Sequence, residues 1–278
     1  MVTSQEFLDK LRKAITDNTI TLPTLPEVAL RIRDSVERED TSAEQIAEMV
    51  ANDAALSARL LQVANSPLYR GRMVIDSIQM AVTRLGTKLI RTLITSLAMK
   101  QIFQATSEVM DSQLHLAWEH SVHTAAFSRA LSKQVPHLQA EQAMLAGLVH
   151  NIGCLPVIAM AENYQELIDD ETKLKQIIDS VGPTIGQSIL TEWGFPDIMC
   201  KIPKNYHNLK YDGGPEADYV DLVIVARLQT LAPDHEHAQA NWSRIPSFRK
   251  IGLEPEVEVI NIEGMAEEIE GVHEILLN

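Results

Sequence analysis

Thr41 to Tyr69 reads TSAEQIAEMVANDAALSARLLQVANSPLY, and its spacing sets the fold class. Thr41-Ser42-Ala43-Glu44 fits a capping box, with the hydroxyl accepting from an orphan amide and Glu44 reaching back. Ile46, Met49 and Val50 then fall at i, i+3 and i+4, one buried helical stripe. A second helix starts near Ala54 and carries Leu56, Leu60, Leu61 and Val63. It stops at Asn65-Ser66-Pro67, because proline can open an element but lacks the N–H to continue one. Asn65 and Ser66 are expected to form a tight helix-to-helix turn, their side chains closing on the backbone. A partner-binding role is the alternative.

Outward from this stretch the helical spacing persists. Asp76-Ser77 can cap a short helix through Val82, and Gly86-Thr87 separates it from a long one, Lys88 to about Phe103. A polar run, Gln104 to Ser112, precedes a long helix with Trp118, His120 and Phe127 that stops near Pro136. Glu141 to His150 is another helix, and Pro183, Pro196 and Pro215 punctuate later ones. Tyr211-Asp212-Gly213-Gly214-Pro215 reads as a loop. VDLVIVARL, Val220 to Leu228, has the length of a strand, but its Ala, Arg and Leu content favours a buried helix. The expected fold is all-α, in two packed helical subdomains, 1–108 and 109–278, the second ending in an acidic tail. That tail, from Ala238, is either a docking element or a segment packed on its own domain.

Composition narrows the function classes. The 278 residues are 45% hydrophobic and only 5% aromatic, a globular and helix-favouring mix. A formal charge of -14 argues against nucleic acid as a partner, since phosphates demand a basic face. Arg84, Lys88 and Arg91 are better read as a solvated helix face than as a basic patch. Two cysteines, Cys154 and Cys200, make no disulfide framework and fit a reducing cytoplasm. The charged N-terminus lacks the apolar core of a signal peptide, and no run approaches the ~18 consecutive apolar residues of a membrane span. A cytoplasmic location without a membrane partner is expected.

The chemistry centres on AGLVHNIGCLP, Ala146 to Pro156, where a helix end runs into adjacent His150 and Asn151. Several motifs now occur in order: LPTLPEVALRI, the Asp-x-x-Leu at Asp53 to Leu56, the Ala-Asn-Ser at Ala64 to Ser66 and the Leu-Gly at Leu85-Gly86. Together they closely resemble the HDOD domain, a helical module of bacterial signalling proteins related to the HD phosphohydrolases. The likeness runs from about Leu22 to Leu231. HD enzymes place a His on one helix, a His-Asp pair on the next and an Asp on a late helix, to hold cations that activate water against a phosphoester. The resemblance puts His120 at the first position, His150 and Asn151 at the pair, and Arg227 at the late Asp. His207 matches a family histidine near the pocket rim and could equally be a surface residue, and Gly182 stands where many relatives carry His.

Both carboxylates of that pattern are therefore replaced. A hydrolytic cation needs anionic ligands to offset its charge, and two imidazoles with an amide make a weak set. Arg227 cannot lose its proton and repels a divalent ion, but it can hold an anion or a carboxylate. Each residue also has a plain structural reading. His120 and His150 can be hydrogen-bonded core residues, Asn151 can satisfy backbone at a helix end, and Arg227 can pair with a nearby acid. His235 and His237 look like a metal clip, yet two histidines with Glu236 fit a polar loop. No nucleophilic triad, phosphate-binding Gly-rich loop or zinc-spacing cluster appears, so no cofactor is called for.

Three function classes follow. The leading one is a non-catalytic signal-transduction module acting on a signalling protein partner. The second is a metal-dependent phosphohydrolase of a nucleotide or cyclic dinucleotide, using His120 and His150 as metal ligands. The third is a pseudoenzyme that binds a phosphorylated nucleotide in the vestigial pocket without cleaving it.

Overall fold

The structure, a computed structural model, describes residues 3–277 apart from 18, 37–41, 52, 70, 72, 104–110 and 234. Among the described residues every regular element is helical. The first part holds α1 (Ser4–Thr16), α2 (Glu27–Val36), α3 (Ala43–Ala51), α4 (Ala54–Ala64), α5 (Ile78–Leu85) and α6 (Thr87–Ile102). The second opens with α7 (Asp111–Leu131), α8 (Ala140–Val149), α9 (Cys154–Ala161) and α10 (Gln165–Ile168). It continues with α11 (Glu171–Glu192), α12 (Asp197–Cys200), α13 (Ile202–Asn205), α14 (Tyr219–Thr230), α15 (Pro246–Ile251) and α16 (Met265–Leu276).

The stripe expected on α3 is buried at Ile46 and Val50, and α4 buries Leu56, Leu60 and Val63. The capping box lies one residue later than expected. Ser42 Oγ accepts from Gln45 N–H and Gln45 Oε1 accepts from Ser42 N–H, so Ser42 caps α3 and Gln45 fills the role expected of Glu44. Thr41 itself lies outside the described residues. Either hydroxyl could cap; the register is chosen by the apolar stripe, which must face the core.

Pro183 does not end a helix. It sits inside α11, which runs unbroken to Glu192. Loss of one N–H there is offset by packing, because Val181, Ile185 and Ile189 around it are all buried. Gly153, at the turn between α8 and α9, explains the close approach to α11: an added Cβ would meet the Gly182 carbonyl oxygen at 2.0 Å and the Gly186 nitrogen at 2.6 Å. Val220 to Leu228 is helical, as its composition favours, and each of its residues is buried within α14.

α7 forms the centre of the second part, packed on α8, α14 and α16. The two parts share their terminal helices. α1 packs on α9 and α11, burying Phe7 and Leu11 and setting Phe7 5.5 Å from the Tyr164 ring. α16, the acidic tail, lies on α7 of its own domain, and its last turn receives Arg59 from α4 and Lys100 from α6 at the Ile275 and Leu277 carbonyls. Ala140–Ala161 is long and apolar enough to cross a membrane, but it is 89% buried inside the fold and broken between α8 and α9.

Candidate functional site

His120, His150, His207 and Arg227 come from four places in the chain and converge. α7 carries His120, the end of α8 carries His150, the turn after α13 carries His207, and α14 carries Arg227. His150 is fully desolvated. Its Nδ1–H donates to the Gly147 carbonyl at 2.6 Å, which fixes the tautomer and leaves Nε2 as an acceptor. Its edge meets the Tyr206 ring at 4.8 Å. Burial, helped by the charges of Arg227 and His120, pushes its pKa down to about 3. His207 stacks against Tyr206 at 3.8 Å, and burial followed by the Arg227 charge lowers it to about 2. His120 is exposed at the rim; partial burial and then His123, Lys175 and Arg227 lower its pKa.

Arg227 is the hub. It is buried, its guanidinium lies 5.5 Å from the Tyr206 ring centre, and Nη1 donates to His237 Nδ1 at 3.3 Å. The imidazoles around it are therefore held neutral, since a second charge beside a buried cation is disfavoured. The nearest carboxylates act on it through space: Asp179 and Glu236 both raise its pKa against the lowering by burial. Asp179 Oδ1 lies 3.4 Å from His207 Nε2, without the alignment of a hydrogen bond. Burial raises the Asp179 pKa, and Arg227 and Lys175 oppose that rise.

Asn151 takes a different direction from a metal ligand. Its Oδ1 accepts from Ser121 Oγ at 2.7 Å and its Nδ2 donates to the Ala117 carbonyl at 3.2 Å. Both ends of the amide are used to tie the α8 turn to α7. An aspartate would set its second oxygen against a carbonyl oxygen, so the amide is the better-satisfied side chain here.

Asn65 and Ser66 lie elsewhere, at the end of α4. Asn65 Nδ2 donates to Leu61 O at 2.9 Å and Ile75 O at 2.7 Å, and Oδ1 accepts from Ile75 N–H at 2.8 Å. One side chain thus closes the helix end and pins the returning chain. Ser66 takes no part in this closure, since its Oγ is buried without a hydrogen-bond partner. The turn chemistry expected of both side chains is met by one, because the Asn65 amide alone supplies two donors and an acceptor and fills the geometry.

Asp179, Tyr206 and His237 complete the cluster, and no motif in the sequence marks them as its members. Asp179 is a lone acid between Ile178 and Ser180 on a long helix, with no motif to mark it. Tyr206 could have been found by its position next to His207. His235 and His237 were read as a polar loop, and that loop covers Arg227, with Trp242 Nε1 donating to the His237 carbonyl at 2.9 Å. No three His, Cys, Asp or Glu side chains among the described residues are placed to hold one metal ion. With Arg227 at the hub, the donor set does not fit a divalent cation.

These features define a class: an all-helical, HD-like protein with a cluster of histidines gathered around a buried guanidinium. The chain belongs to the HDOD family, whose HDOD domain model matches residues 22–209. It is 32% identical to a protein of Shewanella amazonensis SB2B whose crystal structure bears the name "putative metal-dependent phosphohydrolase", with a TM-score of 0.83 over 98% of this chain and 99% of that one. An HDOD domain protein of unknown function from Geobacter sulfurreducens shares the fold at 21% identity, with a TM-score of 0.70 over 99% of this chain and 100% of the other. An uncharacterized protein of Treponema pallidum (strain Nichols) is 24% identical over 269 residues, covering 89% of this chain. The chain spans 50% of the length of that curated relative.

Proposed function

We propose that this is a regulatory HDOD protein of the bacterial cytoplasm that transmits a signal through protein contacts and does not hydrolyse a phosphoester. The observation that carries this reading is Arg227. A fixed monovalent cation is buried among neutral imidazoles, at the position that the resemblance aligns with the late Asp of the HD pattern. Desolvation makes that replacement self-reinforcing, because the guanidinium disfavours both protonated histidine and a bound metal. The name of the Shewanella protein suggests metal-dependent hydrolysis as the alternative. For this chain that alternative lacks an anionic ligand set among the described residues.

The test is calorimetric titration of manganese into the wild type and into the folded double variant Asn151→Asp, Arg227→Asp. The wild type is expected to bind negligibly. The double variant replaces an amide and a cation by two anions, and a measurable binding isotherm is expected. Tight, stoichiometric binding by the wild type that is lost in His150→Ala would overturn the reading and restore hydrolysis.

A further inference from the structure

Lys250 is a buried charge of the C-terminal region whose short-range partner is an exposed one. It stands at the end of α15, and its side chain is only 4% exposed. Burying a lysine is costly unless its charge is matched. Its Nζ pairs with Asp212 Oδ1 at 2.8 Å, lies 3.7 Å from Asp221 Oδ2 and sits 5.8 Å from the Tyr211 ring centre. The two carboxylates play different parts. Asp221 is fully buried and already committed, with Oδ1 accepting from Ser247 Oγ at 2.6 Å and Oδ2 from Asp218 N–H at 3.1 Å. Asp218 is spent on the α14 N-terminus and on the Tyr211 hydroxyl, 2.7 Å away. Asp212 is 69% exposed and sits on the loop of Gly213 and Gly214.

Beside this ammonium is a concavity of about 370 Å³ lined by Asp212, Gly214, Pro215, Arg249 and Lys250. Two cations and a glycine backbone therefore surround one exposed carboxylate at a surface opening. Asp212 reports what the opening favours. Lys250, then the Gly214 amide, and more weakly the Arg249 charge hold its carboxyl below the usual carboxylate range. The side chain behaves as a tethered anion held by the donors that a free anion would use.

We propose that this concavity is a binding site for the phosphate group of a small molecule, with Asp212 as a displaceable internal occupant. Lys250 Nζ supplies a desolvated point charge, Arg249 a second cation, and the Gly214 N–H a neutral donor. Two cations suit a dianionic phosphate group better than a monoanionic carboxylate. The site lies beyond residue 209, where the family match ends, and shares no side chain with the His–Arg cluster.

The experiment is NMR titration of the full chain with inorganic phosphate, and in parallel with acetate, at constant ionic strength. Three proteins are compared: wild type, Asp212→Asn and Arg249→Gln. Both substitutions are at the surface; Asp212→Asn keeps an oxygen beside Lys250 and leaves Asp221 at 3.7 Å, so folding is expected to be retained and the dispersion of each NMR spectrum checks it. Saturable shifts at Gly213, Gly214 and Lys250 are expected on adding phosphate. Asp212→Asn is expected to tighten binding about tenfold by removing the competing anion, and Arg249→Gln to weaken it about tenfold. Acetate is expected to bind more weakly than phosphate in each protein. The proposal is overturned if Asp212→Asn shows no saturable shift, if the three affinities are equal, or if acetate matches phosphate.

Discussion

Arg129 on α7 and Arg227 on α14 are both buried, and they are matched in opposite ways. Arg129 contacts Glu268 of α16, donates to Glu141 at 3.4 Å and lies 5.4 Å from the Tyr69 ring centre; Lys133 joins the same Glu268. Its charge is neutralised by carboxylates in direct contact. Arg227 touches an imidazole and an aromatic face, and its carboxylates act only through space. The first arrangement is a bolt between helices. The second holds a positive charge where neighbouring groups are forced neutral. Burial alone does not separate the two; the identity of the groups in contact does.

The largest test of this contrast removes each guanidinium while keeping volume. Arg129→Met leaves Glu141 without its cation and Glu268 with Lys133 alone, and a loss toward the lower end of the about 3–5 kcal/mol for breaking a buried pair from one side is expected. Arg227→Met strands no directly paired acid, and a loss under about 1 kcal/mol, or a small gain, is expected. Urea unfolding of both variants measures the difference. Equal losses would erase the distinction.

A smaller effect is expected from acid. His150 and His207 have folded pKa values of about 3 and about 2, below the ordinary histidine value, so the unfolded chain binds the proton more readily. Their contribution is fully present above about pH 6.5 and is lost as pH falls toward the folded values. By pH 5 each histidine removes about 2 kcal/mol. Unfolding midpoints at pH 7 and pH 5 check this, and a midpoint that rises on acidification would contradict it. The smallest effect isolates Arg227 itself. In Arg227→Met the pKa values of His120, His150 and His207 should all rise, with burial keeping His150 and His207 well below the ordinary value; NMR titration of the imidazole signals reads this directly. Unmoved values would show that the guanidinium does not set the state of the cluster.

The contrast also shows what was legible in the sequence. Arg227 was found because motif order placed it on a named position, and Asn65 because a helix that meets Ser66-Pro67 needs a side chain to close it. The Arg129–Glu268 contact left no local trace: each residue looks like an ordinary charge on a helix, and their meeting depends on how α16 returns to α7. The misplaced cap has the same origin at shorter range. Thr41 and Ser42 both satisfy the capping pattern, and only the burial of Ile46 and Val50 selects between them. Pro183 misled because proline rules describe isolated helices, whereas α11 is held on both sides of the proline by buried contacts.

The position of α1 has a consequence for how the chain is made. During synthesis α1 leaves the ribosome well before α9 and α11, yet Phe7 and Leu11 find their cover on those two helices, more than half of these 278 residues later. For that whole interval an amphipathic helix with an unfilled apolar side is available to chaperones or to another nascent chain. Its docking closes a very long loop and is entropically a late event. The order in which the parts appear is thus not the order in which they can be joined, and a helix translated early acts as a clasp fastened late.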